Sequence, residues 1–171
     1  MLKLFNDLKP FFNDNYRRIH VREFARLQKI SAPTASKLLE EYHHEGVLKK
    51  EIDKQYFYYY TDKDSPVFVD IQRIYWRLMF EKLGLLKVLS NEFFSSVVIL
   101  FGSLSKAEVT PNSDIDLAIF TPTKKEISLN TFEKKLGRTI QLFIFKNKDD
   151  VKNKELLNNI LSGYKLRGVW S

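Results

Sequence analysis

Asp114 and Asp116 flank Ile115, and residues 104–113 separate them from a Gly102-Ser103 pair that ends the apolar run Val97–Phe101. Side chains alternate across an extended strand, so carboxylates two residues apart project from one face while Ile115 points the other way, into a core. Such a pair can jointly hold a hard divalent cation. Mg²⁺ takes oxygen ligands and typically combines one or two carboxylates with the phosphates of a substrate, which makes nucleoside triphosphates the chemically sensible ligand. Gly102 lets a phosphate approach the backbone closely. Ser103 adds its hydroxyl and amide, at the start of a helix expected near Leu104.

The rest of the composition narrows the alternatives. No cysteine and three histidines occur in 171 residues, which excludes disulfides, thiolate metal sites and cysteine nucleophiles and leaves any metal to carboxylates. The longest uncharged, mainly apolar run, Phe93–Leu104, is shorter than the ~20 residues that cross a bilayer. No basic start followed by an apolar segment and a cleavage site opens the sequence. No membrane association and a cytoplasmic location are the expectation. The net charge of +7 gives a field that attracts polyanions without specifying which.

The elements that position these residues are read from spacing. Apolar positions in Val21–Ile30 and in Ser31–Glu45 (Ala35, Leu38, Leu39, Tyr42) recur at helical intervals, with Ser31 as N-cap, Pro33 in the first turn and Gly46 as the stop. Two β-type segments follow, Val47–Ile52 and Gln55–Thr61, and read as a hairpin. Helical spacing resumes at Pro66 and runs toward Leu89 with an interruption at Gly84. Three β-branched and aromatic segments, Val97–Phe101, Asp114–Phe120 and Thr139–Phe145, are separated by stretches long enough for helices. The predicted fold class is α+β: a helix-turn-helix with a wing over 1–66, a connecting helical region over 67–92, and a mixed sheet flanked by helices over 93–171.

Helix, tight turn, helix and hairpin is the order of a winged helix-turn-helix, whose second helix enters the major groove of DNA. Ser31, Thr34 and Lys37 would face base edges or phosphates, and Lys49, Lys50 and Lys54 would carry positive charge on the wing. Arg17, Arg18, Arg22 and Arg26 could reach phosphates from the preceding helices. The segment RRIHVREFARLQKISAPTASKLLEEYHHEGVLKK resembles winged-helix regulators of the multiple-antibiotic-resistance and arsenic-repressor type. That likeness makes DNA a partner and a homodimer on paired half-sites an expectation. Against this stands a weak charge surplus, since residues 1–66 hold 12 basic and 10 acidic side chains. Protein binding or dimerisation is the alternative role.

The stretch VVILFGSLSKAEVTPNSDIDLAIF is similar to the nucleotidyltransferase fold of the DNA polymerase beta superfamily, in particular its minimal branch. Gly102, Ser103, Asp114 and Asp116 match that family's Gly-Ser and Asp-x-Asp signature. The resemblance implies transfer of a nucleoside monophosphate, AMP from ATP, to an acceptor hydroxyl, with Mg²⁺ or Mn²⁺ held by Asp114 and Asp116 and with Lys106 on a phosphate. Fusions of this kind resemble prokaryotic proteins. One implied acceptor is a partner toxin, as in the antitoxin role of minimal nucleotidyltransferases. The chain departs from the pattern on the third strand, where Gln141 occupies the place of a third carboxylate and cannot serve as a base. The alternative to an enzyme is a regulator with an inert, nucleotide-sensing or dimerising domain.

Overall fold

A computed structural model describes residues 2–123 and 125–170. The chain divides into two compact units, one of residues 1–72 with 107–111 and one of 73–106 with 112–171. Among the described residues, no helix is long and apolar enough to cross a membrane.

The first unit opens with two short helices, α1 (Lys3–Asp7) and α2 (Lys9–Asn13), then a two-residue strand β1 (Ile19–His20). Helices α3 (Val21–Gln28) and α4 (Ala32–His44) follow, joined by a turn in which Lys29 adopts φ 55°. The Ser31 side chain caps α4 by accepting the Thr34 N–H, and Pro33 sits in its first turn, as the spacing predicts. Strands β2 (Leu48–Asp53) and β3 (Tyr56–Thr61) pair antiparallel, and β1 adds to β3, giving the order β1-β3-β2. The hairpin tip falls at Lys54–Gln55, one residue later than the sequence suggests, and both residues have positive φ. That backbone suits a two-residue turn whose twist matches the flanking strands.

The unit's core is aromatic. Phe5, Leu8, Phe11, Phe12, Phe24, Leu39 and Tyr59 are almost wholly buried, and Phe12 packs against Phe68 with ring centroids 5.7 Å apart. Asn15, 2% exposed, is the polar hub inside it. Its Nδ2 donates to the Phe11 carbonyl and to Gln72 Oε1, its Oδ1 accepts the Val109 N–H at 2.7 Å, and its own N–H bonds the Val109 carbonyl. These bonds explain why residues 107–111 belong to this unit although their sequence neighbours on both sides do not.

Helix α5 (Pro66–Leu83) begins in the first unit and ends in the second, and α6 (Leu85–Glu92) starts after Gly84, whose φ of 81° breaks the helix. The second unit holds β4 (Val97–Phe101), the short α7 (Ser103–Lys106), β5 (Ile115–Phe120), α8 (Asn130–Leu136), β6 (Ile140–Phe145), α9 (Lys154–Leu161) and β7 (Tyr164–Arg167). The sheet order is β6-β5-β4-β7; β5 and β6 run parallel and the other neighbours antiparallel, so the sheet is mixed. All five residues of β4 are buried and five of six in β5. The two central strands are therefore covered on both faces, which is why they read as continuous apolar runs. Ile160 of α9, with Leu156 and Leu157, packs on Val97, Ile99, Phe101, Ala118 and Phe120.

Replacing Asn15 by alanine leaves the buried Val109 N–H without its side-chain acceptor. An unmet buried donor costs about 1–3 kcal/mol. Urea unfolding of Asn15→Ala is expected to show that loss, with faster amide exchange at Val109; unchanged exchange there would remove Asn15 as the anchor of residues 107–111.

Candidate nucleotide and metal site

Asp116 is the exception in β5, the one strand position that is not buried. Its cross-strand partners are Phe101 at the end of β4 and Gln141 near the start of β6. Beyond Phe101 the chain turns at Gly102, with φ 67°. A β-carbon on Gly102 would run into the Asp116 carboxylate and lie 3.1 Å from its Cγ. Glycine is thus required twice over, for its backbone conformation and for the space the carboxylate fills.

Asp114 lies in the irregular segment just before β5, and Ile115 between the two acids is fully buried. That is the alternation expected of the pair. Burial first, and the neighbouring Asp114 charge second, raise the Asp116 carboxyl above its ordinary value of 3.8. Like charges side by side in a partly apolar place disfavour ionisation. Gln141 Nε2 donates to Asp114 Oδ2 at 2.6 Å. Gln141 is therefore a neutral donor to the pair. Among the described residues no group of three or more His, Cys, Asp or Glu side chains could share a metal ion.

Two arginines hold the backbone around these groups. Arg138, 8% exposed, donates from Nη1 to the Ser113 carbonyl at 2.6 Å, immediately before Asp114, and its guanidinium lies 5.5 Å from the centre of the Trp76 ring. Arg73 Nε donates to the Ser105 carbonyl at 2.8 Å, in the short helix that follows Gly102. From the sequence alone, no role is assigned to either arginine. Neither has a local signal, because the partner carbonyls lie 25 and 32 residues away.

The helix after Gly102 starts at Ser103 rather than Leu104 and spans four residues. The Ser105 hydroxyl, like its N–H, bonds back to the Gly102 carbonyl and closes the turn. Lys106, at the end of that helix, is exposed.

In the first unit, the residues expected at nucleic acid fall into two sets. Ser31, Thr34 and Lys37 are all exposed on the N-terminal half of α4, with the Ser31 and Thr34 hydroxyls bonded to each other at 2.8 Å. Lys37 lies 3.9 Å from Glu41. Lys49 is paired with Asp62 at 2.8 Å and Lys50 with Glu40 at 2.9 Å, while Lys54 stands at the hairpin tip. Arg17 pairs with Glu23, and Arg18 with Glu51 and Asp53. Arg22 and Arg26 lie exposed on α3.

Residues 84–164, just under half of the chain, match the family model described as Polymerase beta, Nucleotidyltransferase. The match supports a nucleotidyltransferase domain over that span. It contains Gly102, Ser103, Asp114, Asp116 and Gln141, and runs from the end of α5 to the first residue of β7. No curated protein matches the chain.

The raised Asp116 carboxyl has a testable consequence. A folded carboxyl that holds its proton to higher pH favours the folded state most below the unfolded value, and that contribution is lost as pH rises through the folded value. In chelator-treated protein, Asp116→Asn is expected to melt above the parent at pH 7 and level with it at about pH 3.5. Differential scanning fluorimetry at the two pH values measures this. A variant that melts lower at pH 7 would show that the charge is not strained.

Proposed function

We propose that the second unit transfers a nucleoside monophosphate, AMP from ATP, to an acceptor hydroxyl, and that the first unit is a winged helix-turn-helix that binds DNA. The observation that carries the first part is the Asp116 carboxylate, set against the Gly102 backbone and beside Asp114. A carboxylate raised first by burial and then by the charge of Asp114 beside it is a donor that a hard divalent cation relieves, so the residues fit Mg²⁺ or Mn²⁺. Asp114 and Asp116 would hold the metal. When bound, it would stabilise charge on the attacking and departing oxygens of the phosphoryl group.

The chain's own groups do the rest of the work. Gly102 makes room for the Asp116 carboxylate, Ser103 offers a hydroxyl and an amide to a phosphate, and Lys106 can meet phosphate charge from the end of the short helix. Arg138 and Arg73 fix the two backbone segments, which keeps the groups in place without reorganisation during reaction. Gln141 cannot accept the acceptor's proton, so a substrate phosphate oxygen or water must take it, and slow turnover follows. The acceptor hydroxyl belongs to an unidentified partner, with a protein such as a toxin among the candidates.

One observation favours a second reading, a regulator whose nucleotidyltransferase-like domain binds nucleotide without chemistry or serves in a homodimer. It is the Gln141 amide donating to Asp114 where a base would be needed. The readings part on pyrophosphate. With ATP and Mg²⁺ or Mn²⁺, the parent protein is expected to release pyrophosphate, Asp114→Ala with Asp116→Ala to release none, and Gln141→Glu to raise the rate by 10²-fold or more, the typical gain from general-base help. Release equal to that of the double variant, with ATP binding retained, would establish the sensor instead.

The order helix, turn, helix, hairpin, with an exposed polar start to α4, supports DNA binding by the first unit. Duplex binding is expected to weaken steeply with salt and to drop when Arg22 and Arg26 are both changed to Glu, since each phosphate contact contributes ~0.9 to the logarithmic salt slope. Affinity indifferent to both salt and these changes would leave the unit a protein-binding module.

A further inference from the structure

At the end of the second unit's sheet remote from the aspartates, Val97 of β4 pairs with Phe120 of β5. Two adjoining cavities of about 560 and 350 Å³ open there and share Ser95 and Val169 as a common wall. Their floor is under strain. Ser95 holds φ 49°, a left-handed conformation that a residue with a β-carbon adopts at a penalty. Gly168, at φ 90°, presses on the neighbouring backbone so closely that a β-carbon would lie 2.8 Å from Val97 Cα. Ser96 is 7% exposed and its Oγ has no hydrogen-bond partner among the described residues.

Above this floor large apolar groups stand in solvent. Phe94 is 77% exposed and Val169 85%. The Trp170 ring, 38% exposed, packs on Phe120 with centroids 5.1 Å apart, and Lys148 Nζ lies 4.1 Å from its centre. The two cavities are lined by three cations, Lys146, Lys148 and Arg167, against one carboxylate, Asp149. Asn91 and Asn147 add amide side chains, while the buried Thr121 hydroxyl is engaged by the Phe94 carbonyl and the Thr123 N–H. Nothing in the proposed nucleotide chemistry uses these residues.

We propose that this trough is a binding site for single-stranded nucleic acid, with bases stacked on Trp170 and Phe94 and phosphates met by Lys146, Lys148 and Arg167. Exposed rings beside cations match a polymer that alternates flat bases with negative charge, and stacking is tolerant of sequence because every base has a π-face. An acidic peptide supplies the charge without the rings. Lys148 Nζ lies over the Trp170 ring, so a base stacking there displaces the ammonium toward a neighbouring phosphate, and base and phosphate are met at one place.

The test uses the full chain and fluorescein-labelled oligouridine and oligothymidine about twelve nucleotides long, a span typical of single-strand sites. Anisotropy titrations are expected to show binding that falls with salt, and Trp170→Ala is expected to weaken it about tenfold. Lys148→Glu with Arg167→Glu is expected to flatten the salt dependence, by ~0.7 per lost phosphate contact. Both substituted sets lie on the surface, and near-ultraviolet circular dichroism confirms that they fold. Equal affinity for the two strands assigns recognition to bases and phosphates; preference for oligouridine assigns a contact to the 2′-hydroxyl and makes the ligand RNA. The proposal is overturned by unchanged affinity in Trp170→Ala, by tighter binding of oligoglutamate, or by loss that follows Arg22→Glu and Arg26→Glu instead. Pyrophosphate release by Trp170→Ala equal to the parent's keeps this outcome separate from the nucleotide reading.

Discussion

A carboxylate held inside an otherwise apolar strand, next to a second carboxylate, is the constraint around which the second unit is organised. Five of the six residues of β5 are buried, and the exception, Asp116, lies between fully buried Ile115 and Leu117. Stability favours an apolar side chain there. The surroundings instead accommodate the charge: Gly102 gives up a side chain to make room, Gln141 donates to Asp114, and Arg138 ties down the carbonyl just before the pair. Local disagreement with an otherwise consistent pattern is where function is expected to sit.

Much of this was legible because the informative residues interrupt strong periodic signals. The two central strands are continuous apolar runs, and an Asp-x-Asp at the start of one stands out against them. Helices α3, α4 and α5 were readable from spacing and from Ser31, Pro33 and Gly84. The elements missed are short or locally ambiguous. Helices α1 and α2 have five residues each, too few for a period, and β1 has two. Strand β7, Tyr-Lys-Leu-Arg, is four residues long and alternates apolar and charged residues. Its pairing with β4 is a long-range fact with a register shift between Val98 and Ile99. The anchoring of residues 107–111 by Asn15 had no signature at all, since it spans 94 positions.

Charge counting in the first unit shows the limit of composition as a guide to partners. Residues 1–66 carry 12 basic side chains, yet Lys3, Arg17, Arg18, Lys37, Lys49 and Lys50 each lie within ion-pair distance of a carboxylate of the same unit. Glu40 is held below its ordinary value mainly by its bond to Lys50, with help from Tyr59. A polyanion approaching the β2–β3 hairpin therefore competes with internal carboxylates, though exposed pairs are worth about 0–1 kcal/mol and exchange readily. The exposed cations of α3, Arg22 and Arg26, have no ion pair among the described residues and make no such demand. Position, rather than the count of lysines, decides which surface can hold phosphate.

Replacing a carboxylate by Gln141 changes more than the supply of a base. On the proposed reading, a third acid would add negative charge beside Asp116, which burial and then the Asp114 charge already raise. The amide adds none, and its N–H takes up a lone pair of Asp114 Oδ2 that a metal could otherwise use. Two carboxylates with one oxygen engaged are a thin ligand set for an ion that demands six oxygens in near-octahedral order. The missing ligands must then come from water and from the phosphates of the nucleotide itself, so that metal and nucleotide bind as one unit and neither is held firmly without the other. A site of that kind is regulated by the concentration of the metal-nucleotide complex, which suits an enzyme of low turnover and a sensor equally. The chemistry that separates these two roles lies in where the acceptor's proton goes, and among the described residues no third acid joins the pair to take it.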